Sequence, residues 1–320
     1  MSDRFAWLMF QAVFAISGAA ALGYEVVWGR WLATVLGGST LAACVVLSCY
    51  MGGLAAGAWV FGTFSARLRR PAAVYAGVEL LIAVAACGFP LAADVIVGLP
   101  LGIRVVASVL VLLVPTFLMG GTLPLVLAWT ERRGISAGVS LGRLYGLNTL
   151  GAAVGCLLAG LWLIPTVGLA LTNALGAVAN TVIAGVVVLT VGLTIREPVP
   201  TRTEAGAEAA PIPWPSRPLF AVAFLSGLAT LGIEVLWVRL LRITMGSTTY
   251  VFTLVVATFI LGIGLGGFWA GRKMDSATIG GRLVRGQVLL VGLLALQFAA
   301  LPYTAAAFAA LQDGRGHHGA

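Results

Sequence analysis

The sequence predicts an all-α, polytopic helical membrane protein, and three observations lead there. Hydrophobic residues fill 60% of the 320 positions and charged residues only 9%, at a mean hydropathy of +1.04, far outside the soluble globular range. The apolar runs are long and do not alternate with a period of two, so helices, not a closed barrel, must satisfy the backbone in lipid. Residues 17 to 62 align without a gap on residues 226 to 271, so that Ser17, Gly18, Gly23, Glu25, Trp28, Arg30, Gly53 and Gly57 reappear as Ser226, Gly227, Gly232, Glu234, Trp237, Arg239, Gly262 and Gly266. A match that includes a Glu, a Trp and an Arg marks an internal repeat of two structural units.

A span needs about 20 apolar residues, which gives about nine transmembrane helices here. The first is expected over residues 5 to 24; it runs into repeated sequence and lacks a small-residue cleavage site, so it is not a signal peptide. The second, 35 to 62, carries Gly52, Gly53 and Gly57 on one face, a pattern for close helix packing. Glu79 falls inside the third, 73 to 98. The fourth, 104 to 129, holds Pro115 and Pro124 around a Gly pair, where the helix is expected to kink or break. The fifth, 144 to 164, and sixth, 168 to 194, close the first unit, and 218 to 236, 248 to 271 and 286 to 309 make the second.

Between the units, residues 196 to 217 gather Pro198, Pro200, Pro211, Pro213 and Pro215, the composition of an extended cytoplasmic linker. Six spans separate the repeat copies, so both enter the membrane in the same direction, a parallel repeat. The expected organisation is a first unit over 1–195, the linker over 196–217, an incomplete second unit of about three helices over 218–309 and a disordered tail over 310–320. The second unit should also have six spans, so the chain reads as truncated or degenerate.

The net charge of +8 raises nucleic acid as a partner, but the distribution of the charges argues against it. With the N-terminus inside, only Arg30, Arg104, Arg239, Arg242 and Arg315 fall on the outer side. That bias places the N-terminus in the cytoplasm of a cell inner (plasma) membrane protein whose partner is the lipid bilayer. Cys44, Cys49, Cys87 and Cys156 lie in apolar spans without metal-ligand spacing and read as small core residues. His317 and His318 stand in the tail and complete no metal site. No dinucleotide fingerprint, P-loop, paired carboxylates or nucleophile with its base occur, so no catalytic residue, metal site or cofactor is expected.

The polar residues inside the spans are the candidates for substrate binding. Glu25 and Glu234 are read as standing where their helices end, each followed by Trp at three residues and Arg at five. Five residues is about 140° around an ideal helix, so each Glu must find a partner elsewhere. One arrangement crosses Glu25 with Arg239 and Glu234 with Arg30. The other makes them interfacial anchors, with the Trp at headgroup level and the Arg snorkelling. Glu79 is costly in lipid unless paired or neutral, and either lines a polar pathway or contacts Arg104 or Asn148. Asn148 enters the fifth span and is expected to bond a neighbouring helix.

The segments SGAAALGYEVVWGRWL, PTFLMGGTLPLVLAW, GRLYGLNTLGAAVGCLLAGLWLIPTVGL and SGLATLGIEVLWVRLL resemble the membrane part of fused major-facilitator/spermidine synthase-like proteins. The motif positions are Glu25, Trp28, Arg30, Arg143, Tyr145, Asn148, Glu234, Trp237 and Arg239. The resemblance implies a helical region, with halves like those of major-facilitator transporters, ahead of a soluble aminopropyltransferase domain of Rossmann type. That domain's Gly-rich acidic motif does not occur in these 320 residues, so synthase activity is carried by no residue here. Two functions follow as expectations: a membrane module that transports or admits polyamines or related cationic metabolites, or a non-transporting anchor for a separate or lost aminopropyltransferase.

Overall fold

The computed structural model describes residues 3–135, 137–194, 217–245, 249–271 and 279–316. Helix accounts for every regular element among them: α1 Asp3–Val35, α2 Ser39–Phe64, α3 Pro71–Ile96, α4 Leu101–Glu131, α5 Ala137–Leu157, α6 Ile164–Thr194, α7 Arg217–Met245, α8 Thr249–Gly271 and α9 Ile279–Gly316, with a short 3-10 turn at Ser65–Arg67 and a π-helical stretch at Leu158–Leu163. The linker expected over 196–217 lies outside the described residues but for Arg217, as do His317 and His318. The chain divides into two compact units, Met1–Gly271 and Arg272–Ala320, the second built on α9. Helix α9 runs to Gly316, past the residue where the last span was expected to end.

Six helical segments among the described residues are long and apolar enough to cross a membrane, which is compatible with a multi-pass membrane protein. The fifth of them, Leu141–Thr190, covers 50 residues and breaks at Gly168, whose φ of 81° only glycine adopts without strain. Shorter apolar stretches, Tyr250–Gly266 and Val284–Ala300, lie in α8 and α9. Against the nine expected spans, the difference comes from these short stretches and from the double-length segment.

Helix α3 shows why such a helix suits lipid. It buries Ala72, Tyr75, Ala76, Glu79, Ile82, Ala83, Ala86 and Phe89, spaced three and four apart, and so presents one face to its neighbours. The opposite face exposes Leu81, Val84, Leu91 and Val95. A helix with its polar group inside and its aliphatic residues outside inverts the soluble pattern.

Small residues bring the backbones together. On α2, a Cβ at Gly53 would collide with Thr116 and one at Gly57 with the Phe117 carbonyl, both on α4, while Gly120 of α4 abuts the Leu54 carbonyl. On α1 and α5, Gly18 abuts the Asn148 carbonyl, Gly151 the Ala15 carbonyl and Gly155 the Ala19 carbonyl. Without a hydrophobic drive between helices in lipid, such approach is what holds a bundle together. Helix α4 stays unbroken through Pro115 and Pro124. Beside Pro115 the Thr116 hydroxyl lies within hydrogen-bond distance of the Leu112 carbonyl, at 2.8 Å, and of the Cys49 carbonyl of α2, at 3.1 Å, which ties α4 to α2 at this point.

Two expectations about helix ends are corrected. Glu25 and Glu234 do not stand at helix ends, because α1 continues to Val35 and α7 to Met245. A charged residue interrupts hydropathy but not helix propensity, and here it is sheltered by neighbouring helices instead of by headgroups. Of the four cysteines, Cys49 and Cys156 are buried, but Cys44 and Cys87 are exposed on the outer surface of the bundle.

Candidate functional site

Three helices build a polar seam inside the first unit, each with positions seven apart that return to the same face after two turns. Helix α1 supplies Ser17 and Tyr24, α3 supplies Glu79 and Ala86, and α6 supplies Asn173 and Asn180. The Ser17 hydroxyl donates to Glu79 Oε1 at 2.6 Å, and Asn180 Nδ2 donates to Glu79 Oε2 at 2.5 Å. The Tyr24 hydroxyl donates to Asn180 Oδ1 at 2.8 Å, which fixes the orientation of that amide. Two turns along, Trp28 Nε1 donates to Asn173 Oδ1 at 2.9 Å, and Asn173 Nδ2 donates to the Ala86 carbonyl at 2.7 Å.

Rings seal the seam on one side. Tyr24 stacks on Trp28 with centroids 4.9 Å apart, and Trp28 stacks on Phe89 at 4.8 Å. Glu79 is fully buried and among the described residues makes no ion pair. Its two oxygens are held by hydrogen bonds from a hydroxyl and an amide, which is how a carboxyl is accommodated away from water without a cation. The expected contacts with Arg104 or Asn148 do not form. Arg104 instead reaches the Val35 carbonyl at 3.1 Å, and Asn148 Nδ2 donates to the Phe14 carbonyl at 2.9 Å, the bond to a neighbouring helix that its position suggested. The Tyr75 hydroxyl, one turn before Glu79, is buried beside the Glu79–Ser17 pair yet meets hydrogen-bond geometry with neither.

Next to the seam lies a cavity of about 80 Å³ to which all of α1 to α6 contribute. Its polar edge is formed by Ser17, Tyr50, Thr122, Asn148 and Asn180. Glu79 stands behind this edge, so a guest in the cavity would meet its carboxyl only through Ser17 and Asn180. The volume accommodates a few water molecules.

The repeated Glu/Trp/Arg elements divide differently from the expectation. Glu25 is buried and Glu234 half-buried, and both line a second cavity of about 30 Å³ walled by Val46, Leu47, Val238 and Phe252. Arg30 and Arg239 are exposed. Neither crossed Glu–Arg pair is formed, since residues five apart point to different sides of their helix and the two Glu face each other's neighbourhood while the two Arg face outward. Trp28 is wholly buried, so it is no headgroup anchor. Arg143 and Tyr145 are exposed. Among the described residues, no group of three or more His, Cys, Asp or Glu gathers to hold a metal.

Sequence reasoning found Glu79 and Asn148 but passed over Tyr24, Asn173 and Asn180. A signal was present: two Asn seven residues apart in the apolar run TNALGAVAN place two amides on one helix face. The chain matches no family model, no curated protein and no solved structure. The family resemblance therefore rests on the quoted motifs alone.

Proposed function

We propose that this chain is a transporter-like membrane module that admits a small cation, with polyamines and related cationic metabolites as the substrate class implied by the sequence resemblance. The supporting observation is the meeting of six helices around a cavity whose polar edge is backed by the buried Glu79 carboxyl. An intramembrane carboxyl facing the interior of a bundle is a favoured counter-charge for a cation. The reading includes a plasma membrane location with a cytoplasmic N-terminus, from the distribution of Lys and Arg. Uptake of labelled putrescine and spermidine into proteoliposomes containing the purified chain tests it. Uptake above that of empty liposomes, reduced about tenfold in Glu79→Gln, is expected, and a tenfold loss corresponds to about 1.4 kcal/mol. Wild-type protein that moves neither compound overturns it.

A second reading, the non-transporting anchor for an aminopropyltransferase, is favoured by size. The cavity of about 80 Å³ is well below the roughly 300–1,000 Å³ of ordinary ligand pockets, and both Glu79 oxygens are already engaged. An aminopropyltransferase that co-purifies with the chain, together with absent uptake, decides for the anchor.

A further inference from the structure

Glu25 comes from the first copy of the sequence repeat and Glu234 from the second, and their carboxyls line one small cavity between α1, α2, α7 and α8. Glu25 is only 3% exposed, and among the described residues neither carboxyl has a hydrogen bond or an ion pair. This distinguishes the pair from Glu79, whose oxygens are both occupied. Two ionised carboxylates beside one small, mostly apolar cavity repel each other, and a positive charge between them relieves that repulsion.

The walls decide which positive charge. Besides the two Glu, the lining is Ala43, Val46, Leu47, Val235, Val238 and Phe252, without a further polar side chain. A hard metal cation wants about six oxygens around it, and a cavity of about 30 Å³ leaves little space for it to keep its waters. A proton needs neither ligands nor room. Among the described residues, the other titratable groups near the pair are Tyr50 of α2, whose hydroxyl donates to the Ala21 carbonyl at 3.3 Å, and Cys156 of α5, whose thiol donates to the Thr253 carbonyl at 3.6 Å. Neither supplies a cation, and Arg30 and Arg239 are exposed.

We propose that Glu25 and Glu234 form a carboxyl pair that holds an exchangeable proton, shared between one residue from each copy of the repeat. If the chain transports, this is the site for a coupling proton; that extension rests on the transport reading, whereas the pair itself does not.

Infrared difference spectroscopy of the full chain in lipid nanodiscs, titrated from acid to alkaline pH, tests the pair without any transported substrate. A protonated-carboxyl C=O band is expected that Glu25→Gln and Glu234→Gln each shift or abolish, the double variant removing no more than the stronger single one. Glu79→Gln serves as the reference for the other buried carboxyl and is expected to leave this band in place. Should Glu25→Gln fail to fold, Glu25→Asp shortens the side chain and shifts the band's titration. A band unchanged in the double variant overturns the proposal. So do two bands that respond independently to the two substitutions, or a band abolished when Na⁺ replaces K⁺, the last result assigning the cavity to a metal cation.

Discussion

Helices α1 and α7 carry the same Glu/Trp/Arg element, yet they live in different surroundings. In the most apolar stretch of α1, 44% of residues are buried, against 6% in α7. Gly18 lies hard against the α5 backbone, whereas its counterpart Gly227 has open space where a Cβ would be. Trp28 is wholly buried and hydrogen-bonded to Asn173, while Trp237 is half-buried. The Gly series repeats the contrast: Gly53 and Gly57 touch α4, whereas Gly262 and Gly266 of α8 meet nothing, and Gly264 between them rests on Thr149. One sequence element thus makes one helix twice, but its side chains acquire roles only where other helices surround them.

Paired substitutions in the two copies break or sharpen this contrast, and thermal melting in detergent reads them. The largest difference is expected between Gly18→Leu and Gly227→Leu. The first forces α1 away from α5 and is expected to destabilise by about 3 kcal/mol or more; the second should stay within about 0.5 kcal/mol, as surface changes do. Equal losses would mean that α7 is packed as tightly as α1.

Next comes the seam, which has no counterpart around α7 among the described residues. Asn180→Ala strips Glu79 of one donor and Tyr24 of its acceptor, and about 2–3 kcal/mol should be lost from leaving buried polar groups unpaired. A melting temperature equal to wild type would show that water replaces the amide.

A smaller difference is expected between Trp28→Phe and Trp237→Phe. The ring stack on Phe89 survives the first change, but Asn173 Oδ1 loses its donor, for about 1–2 kcal/mol; Trp237→Phe should cost less than half of that. Smallest of all, Arg30→Gln and Arg239→Gln are each expected to shift stability by less than about 0.5 kcal/mol, because both side chains are exposed. A larger loss in either would revive the crossed ion pairs.

Parts of this architecture were legible in the residues. Small-residue spacing in α2 announced its close approach to a neighbour, and the structure supplies α4 as that neighbour. A carboxyl in VYAGVELLIAV had to be satisfied inside the bundle, and an Asn entering the fifth apolar run had to bond another helix. The partners of Glu79 were not legible, because Ser17 and Asn180 lie 62 and 101 residues away and no periodicity within one helix links positions on different helices. Helix ends were misplaced at Glu25 and Glu234 because hydropathy falls at a charge while the backbone continues. Of the kink or break expected at Pro115 and Pro124, the break does not occur, and α4 runs on through both prolines packed against α2.

By itself the sequence determined helical structure, the apolar character that suits lipid, the repeated element and the presence of buried polar groups. Each follows from composition or from spacing along one helix, and a backbone without water has to close its own hydrogen bonds. Only the tertiary structure decided that Ser17 and Asn180 hold Glu79, that Glu25 and Glu234 share a cavity while their arginines face outward, and that α1 rather than α7 is enclosed. Those outcomes depend on which helices lie side by side, and packing in lipid is chosen by close fit between surfaces, which no single helix encodes.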